Sequence, residues 1–319
     1  MINGWMNIKY IIIKNINICV ILTFIILLLY LTTLFTTSVN RDDTTCPTII
    51  PIPDNDSTQG PLIAPFYPTI ESIHLLDTFE MLQLHLFCFE EPEKAEPSDV
   101  DIPSLLDVDC SVSCLGNGDP AILIFHTHSQ EAYSDSRPGV VGDTIVGVGD
   151  VLADILADDY GITVVHDRGQ YDMVDGTVTR EGSYDRMQPA VLAILEKYPS
   201  ISATIDMHRD GVPDDMRLVA DIGGMPTARV MFVNGLSQTL DNPYVNRTIA
   251  LSLQMQLMIN ELYPGFARRI YIKPYRYSLH LSPRSMLIEV GAQNSTIEEA
   301  MNAMHPLAEI IVRVLTDVR

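Results

Sequence analysis

Two histidines and a glutamate follow a short apolar run near residue 120. The run Ala121–Phe125 leads directly into His126, and His128 and Glu131 come shortly after it. A buried strand that ends in such side chains is one way in which zinc hydrolases present ligands at a sheet edge. Because side chains alternate along a strand, the spacing predicts that His126 and His128 face a common site. The alternative is a surface loop in which the two histidines share no role.

A second polar cluster follows the apolar run Ile201–Ile205. It consists of Asp206, His208, Arg209 and Asp210. Reactive groups in open α/β sheets collect outside the carboxyl ends of strands, so His208 is predicted at a second strand end. Asp206 or Asp210 is predicted to orient His208, and Arg209 to support the site or contact substrate. The alternative is a helix-capping aspartate with a hydrogen-bonded histidine.

Glu289 lies inside the apolar run Met286–Val290. An unpaired carboxylate is costly to bury, so it needs a cation, a metal or hydrogen-bond donors beside it. It is either a catalytic acid/base with a raised pKa or the partner of an arginine such as Arg284. Two histidines, a glutamate ligand and a second glutamate that carries a proton together suit metal-assisted hydrolysis.

Apolar periodicity between residues 117 and 319 alternates between the strand and helix patterns. Strands are predicted at 121–125, 162–166, 201–205, 218–222, 228–234, 270–272 and 286–290, and helices at 143–158, 184–198, 246–263 and 295–315. This order predicts an α/β fold, a mixed sheet with helices on both faces.

The first 43 residues predict a short cytoplasmic tail and a transmembrane anchor. Ile18–Phe35 is apolar and uncharged, and its length is near the minimum for a helix that spans a membrane. Lys9 and Lys14 precede it, so the positive-inside rule predicts a cytoplasmic N-terminus and an exported body. A cleaved signal peptide is the alternative.

Residues 44–116 are rich first in proline and then in acidic residues, which predicts an extended stalk. Within it, the apolar spacing of residues 70–89 predicts a short helix. Cys110 and Cys114 either close a small disulfide or remain two thiols. Residues 117–319 are then the predicted catalytic domain.

The net charge is −21, and all 41 acidic residues lie beyond residue 40. Such a polyanion is repelled by nucleic acids and by anionic lipid surfaces, so no nucleic-acid partner is expected. The sequence also has no glycine-rich phosphate loop and no G-x-S-x-G serine motif.

Four motifs, in order, resemble the stage II sporulation protein P family. They are Ile124-Phe-His-Thr-His-Ser-Gln-Glu-Ala-Tyr133, Gly182-Ser-Tyr-Asp-Arg186, Ile205-Asp-Met-His-Arg-Asp210 and Leu281-Ser-Pro-Arg-Ser-Met-Leu-Ile-Glu-Val-Gly291. The resemblance implies a membrane-anchored peptidoglycan hydrolase, related to zinc N-acetylmuramoyl-L-alanine amidases and with endopeptidase activity as well. It also implies a role in engulfment during sporulation, alongside sporulation proteins D and M.

Carried over by position, the resemblance implies a zinc site formed by His126 or His128 with Glu131 and His208. Glu289 would be the catalytic acid/base. His128 is favoured by its His-x-x-Glu spacing, and His126 is expected in the same site.

One departure is Ser278-Leu-His280, where the family usually has Gln-Asp before Leu-Ser-Pro. This departure leaves the substrate specificity open. A stem-peptide endopeptidase and a non-enzymatic membrane scaffold are the alternative functions.

Overall fold

The computed structural model describes residues 86–89, 100–112, 115–237 and 239–316. The predicted anchor at Ile18–Phe35 and most of the predicted stalk lie outside these residues, as does Cys114. Within the described ranges, no helix is both long enough and apolar enough to cross a membrane.

A seven-stranded sheet forms the centre of the fold. Its strands are β1 (Phe87–Phe89), β2 (Ile122–Phe125), β3 (Val164–His166), β6 (Ala203–Asp210), β9 (Val230–Gly235), β10 (Ile270–Lys273) and β11 (Ser285–Ala292). Their order is β1-β10-β9-β11-β6-β2-β3, and only the β9–β11 pair is antiparallel. The predicted mixed sheet is therefore confirmed.

Two small hairpins lie outside this sheet. One pairs β4 (Met173–Val174) with β5 (Thr177–Val178), and the other pairs β7 (Val219–Ile222) with β8 (Met225–Ala228).

Helices cover both faces of the large sheet. They are α1 (Ile102–Leu106), α2 (Ile145–Asp158), α3 (Ser183–Lys197), α4 (Val245–Leu262), α5 (Ile297–Asn302) and α6 (Met304–Thr316). On one face, α2, α4 and α6 pack on the main core. On the other, Met187 and Val191 of α3 pack on Leu123 and Phe125 of β2. Alternate residues of β2 thus enter opposite layers.

The helix predicted at 295–315 is broken into α5 and α6 at Ala303. Pro306 explains the break, because it has no N–H to donate to Asn302 and its ring would clash with that carbonyl.

The helix predicted at 70–89 is wrong for its last residues. Phe87–Phe89 is a strand that pairs in parallel with β10 at the sheet edge. Short apolar and aromatic runs suit a half-buried strand, and the open edge of β10 supplies the hydrogen-bond partners. Residues 70–85 lie outside the described ranges.

Candidate active site

A cavity of about 250 Å³ lies where β2, β6 and β11 approach their carboxyl ends. These strands run parallel, so groups at their ends collect at one edge of the sheet. His128, Glu131, His208 and Glu289 all line the cavity. The structure therefore brings together the predicted acid/base and three of the four predicted metal-site residues.

β6 supplies the polar floor of this region. The strand continues to Asp210, so the predicted end at Ile205 is wrong. Met207 enters the main core, and alternation turns Asp206 and His208 to the opposite, cavity side. The strand can continue through polar residues because its two faces meet different surroundings.

His208 lies between two carboxylates. Its Nδ1 is 3.4 Å from Glu131 Oε2, and its Nε2 is 2.8 Å from Asp206 Oδ1. The second contact has ion-pair distance but not the direction of a hydrogen bond, so Nε2 has no hydrogen-bond partner among the described residues. Burial opposes protonation, but the two carboxylates outweigh it and hold the pKa of His208 well above its usual value in the metal-free protein.

Asp206 fixes the turn that follows β2. It accepts hydrogen bonds from Thr127 N at 2.9 Å, Thr127 Oγ1 at 2.7 Å and Ser278 Oγ at 2.9 Å. Burial raises its pKa, but the charge of His208 and these donors outweigh burial and lower it. Asp206 therefore positions the segment that carries His128. It also lies at ion-pair distance from His208, and its role in orienting that ring stays a prediction.

His128 faces the cavity from that turn. Its ring lies edge-on to His208, with centroids 5.3 Å apart, and edge-on to Tyr184 at 5.8 Å. Its Nδ1 is 3.4 Å from Ser183 Oγ. Burial, and then the charge of His208, lower its pKa, which favours the neutral imidazole that can bind a metal.

Glu289 lies beside His208 in the register of β11 and β6. The residue is half-buried, but Oε2 is inaccessible and has no hydrogen-bond partner within the described ranges. Burial, assisted by the charges of Glu131 and Asp210, raises its pKa to about 8. The alternative, an ion pair between Glu289 and Arg284, is not formed, since Arg284 Nε donates to Cys110 O at 2.8 Å instead.

His126 does not share this site, so the prediction of a common site for His126 and His128 is wrong. Its Nδ1 lies 3.1 Å from Met207 O and its Nε2 lies 2.8 Å from His166 Nε2. β2 ends at Phe125, and alternation carries His126 to the layer of α2. The turn that follows then reverses the side on which His128 emerges.

Arg209 and Asp210 take different roles from each other. Arg209 donates its backbone N–H to Glu131 Oε2 at 2.9 Å and its Nε to Ala132 O at 3.0 Å, so it holds the glutamate in place. Asp210 pairs with Arg268 at 2.5 Å instead of orienting His208. Both residues line the cavity.

Several lining residues were not singled out from the sequence. Arg180 lies 3.4 Å from Glu131 Oε1, and Tyr184, Lys273 and Tyr277 also face the cavity. Tyr184 stands inside the motif that starts at Gly182, which was an available signal. Lys273 and Tyr277 belong to a stretch without a chemical motif.

The donor chemistry of His128, Glu131 and His208 fits zinc. The 3.4 Å between His208 Nδ1 and Glu131 Oε2 is close to the roughly 3.3 Å that separates two ligands of a tetrahedral zinc ion. A carboxylate on the other ring nitrogen, here Asp206, is the usual partner of a ligating histidine. As the side chains stand, no group of three or more His, Cys, Asp or Glu in the described ranges surrounds one point closely enough to hold a metal.

The fold and cavity define an α/β protein with paired histidines and carboxylates at the carboxyl edge of a mixed sheet. The family model of Stage II sporulation protein P (SpoIIP) matches residues 89–312, so the chain belongs to this family. A curated relative, Stage II sporulation protein P of Bacillus subtilis (strain 168), is 25% identical over 214 residues. The match covers 61% of this chain and 51% of the relative, so the chain spans about half the relative's length.

Two solved structures of amidases show a distant likeness. The CwlD amidase from Clostridioides difficile, in complex with the GerS lipoprotein, has 11% identity and a TM-score of 0.39, covering 61% of this chain and 98% of that one. The apo form of the N-acetylmuramyl-L-alanine amidase Ami1 from Mycobacterium abscessus has 14% identity and a TM-score of 0.37, covering 61% and 99%.

Proposed function

We propose that this protein is a zinc-dependent peptidoglycan hydrolase with N-acetylmuramoyl-L-alanine amidase activity. One observation carries the proposal: His128, Glu131 and His208 line the same cavity as Glu289, whose buried Oε2 lacks a hydrogen-bond partner among the described residues. Membership of a sporulation family agrees with a substrate in the cell wall.

His128, Glu131 and His208 would hold the metal. When bound, zinc supplies a Lewis acid that polarises a carbonyl and lowers the pKa of water. Asp206 lies at ion-pair distance on the far side of the His208 ring, and the N–H of Arg209 donates a hydrogen bond to Glu131. These contacts keep the donors in position, so little reorganisation is needed during the reaction.

Glu289 is the proton carrier of the proposed reaction. It takes a proton from the attacking water and gives it to the nitrogen of the departing stem peptide. Its pKa of about 8 in the metal-free protein keeps it protonated near neutral pH. A positive charge in the cavity lowers this pKa, so a loaded site favours the carboxylate that can accept the proton.

Digestion of purified sacculi by the full-length protein in detergent tests the proposal. We expect stem peptides that carry a free L-alanine amino group, identified by mass spectrometry, with loss of activity in chelator and recovery with zinc. Glu289→Gln should be inactive, whereas the same change at the exposed Glu196 should have no effect. Cleaved cross-bridges without free L-alanine ends would instead support the stem-peptide endopeptidase.

The anchor at Ile18–Phe35, the extracytoplasmic location and the partnership with sporulation proteins D and M are proposed from the family and the sequence pattern. A non-enzymatic scaffold would rescue sporulation when it carries Glu289→Gln. The hydrolase proposed here would not.

A further inference from the structure

A second cavity, of about 280 Å³, adjoins the first. Tyr184 and Tyr277 line both cavities and so form their common wall. Their ring centroids are 5.8 Å apart, and Tyr275 continues the row at 5.8 Å from Tyr277. Since His128 contacts Tyr184, an aromatic row leads from the proposed metal ligands into the second cavity.

The loop that carries this row has an unusual backbone. Tyr277 has a φ of 53°, in the left-handed region that a bulky residue rarely adopts. Strain of this kind persists where the surrounding structure enforces it, and it is frequent at binding sites. Gly235 permits the loop to approach, because a Cβ there would lie 2.0 Å from Tyr275 O.

Polar groups surround the aromatic surface without giving it a strong charge. Arg276 and Asp185 line the cavity with opposite charges. His280 Nε2 lies 3.2 Å from Gln188 Oε1, which places two neutral hydrogen-bonding groups at the rim. Arg276 lines the cavity, and its Nε has no hydrogen-bond partner in the described part of the chain, so a small rotation of the guanidinium would let it donate to a ligand oxygen.

These features match a neutral ligand that has apolar faces and hydroxyl edges. A sugar ring presents C–H groups on its faces, which pack on aromatic rings, and hydroxyl or acetamido groups at its rim. A stem peptide carries several carboxylates, which Asp185 and the acidic chain would repel.

We propose that the second cavity is a subsite for an N-acetylated sugar of the glycan strand. This inference rests on the proposed function, because the amide cut by such an amidase joins a sugar to the stem peptide. The wall shared by the two cavities places the sugar directly beside the reacting bond.

Calorimetric titration of the full-length protein in chelator tests the subsite without activity. The probes are a β-1,4-linked trimer of N-acetylglucosamine and a free stem tripeptide, both at millimolar concentration. We expect the sugar to bind and the tripeptide not to bind. Tyr275→Ala should weaken sugar binding about tenfold, on the scale of removing one stacking aromatic ring, while Tyr275→Phe, which keeps the ring, should bind as the wild type does.

Tyr275 is 53% exposed, so the alanine variant should fold. Met225→Ala, which removes a side chain of similar exposure on β8, is the control for surface truncation. Arg276→Gln should weaken sugar binding as well.

Tripeptide binding with no sugar binding, no binding of either probe, or unchanged sugar affinity in Tyr275→Ala would each overturn the subsite. If the sugar binds but sacculi digestion yields no free peptides, the proposed activity fails and the sugar site stands. If digestion proceeds and the sugar does not bind, the subsite alone fails.

Discussion

His126 and His128 are two residues apart, yet they belong to chemically opposite regions. His126 is completely buried, and both of its ring nitrogens meet protein groups, namely Met207 O and His166 Nε2. His128 faces a cavity beside Glu131 and His208. The same residue type thus completes a closed hydrogen-bond network on one side of the sheet and lines an open site on the other.

The closed network continues outward from His126. His166 Nδ1 lies 2.7 Å from Asp150 Oδ1, which also accepts from Arg168 Nε at 2.8 Å. Burial, and then the charge of His166, lower the pKa of His126 to about 3, so it stays neutral in the working range. A buried polar group with its partners in place stabilises the fold, whereas unpaired buried atoms such as Glu289 Oε2 indicate chemistry.

Replacing each histidine separately should give the largest difference in hydrolytic activity. We expect His128→Ala to lower amide hydrolysis by more than about 100-fold, because His128 is a proposed metal ligand and a ligand should matter at least as much as its supporting groups. His126→Ala should retain activity per folded molecule within about tenfold. Peptide release from sacculi, together with zinc content, checks both variants. Loss of zinc in His126→Ala with normal folding would invalidate the comparison.

The two variants should have the reverse order of effect on stability, with His126→Ala the more destabilising. His126→Ala should lower the free energy of unfolding by about 3 kcal/mol, because it leaves a cavity and unpairs Met207 O and His166 Nε2. Denaturant unfolding of the metal-free protein measures this change. His305→Ala, at a histidine whose side chain is 71% exposed, is the control and should have almost no effect. Equal stability of His126→Ala and the control His305→Ala would show that the hydrogen-bond network of His126 contributes little to stability.

Gly149 tests how tightly the network packs against α2. A Cβ at this position would lie 2.8 Å from Cε1 and Nε2 of His126 and 2.9 Å from His166 Nε2. We therefore expect Gly149→Ala to cost about 2 kcal/mol, despite the better helix propensity of alanine. In Gly142→Ala the new methyl group meets no atom of the described chain within 4 Å, so this control should be close to neutral. A stabilised Gly149→Ala variant would mean that the two rings can shift at little cost.

The difference between the two histidines could be predicted only in part. The apolar runs identified the central strands. The polar residues that follow two of these runs made Glu131 and His208 candidates, and the carboxylate inside a third run made Glu289 one. The predicted end of β2 at Phe125 is correct, but extending the alternation of the strand beyond that end to His128 placed both histidines on one side. The turn depends on Asp206, a residue 79 positions away that binds Thr127.

Tertiary contacts account for the remaining differences between the sequence-based predictions and the structure. Phe87–Phe89 becomes a strand because β10 offers an unpaired edge, and no local pattern contains that information. Asp210 was a candidate to orient His208, but Arg268 competes for it. Tyr277 enters the cavity from a loop whose conformation depends on the close approach to Gly235.

The pH dependence of stability should distinguish the cavity around Glu289 from the closed network around His126. The expected effect per pH unit is smaller than the changes in stability given above. In chelator, the pKa of Glu289 is about 8 in the folded protein and near the ordinary 4.5 in the unfolded chain. The folded state therefore binds the extra proton between these values, and its stability falls as pH rises. We expect a loss of about 1.4 kcal/mol per pH unit relative to Glu289→Gln, which cannot titrate.

His126 behaves oppositely, because its pKa is lowered and its contribution is lost only as pH falls below about 6.5. Denaturant unfolding at pH 6, 7 and 8 should thus show the wild type losing stability relative to Glu289→Gln, whereas relative to His126→Ala the wild type should gain stability between pH 6 and pH 7. Parallel curves for wild type and Glu289→Gln would mean that Glu289 ionises freely, and the cavity would then lose the feature that separates it from the closed network.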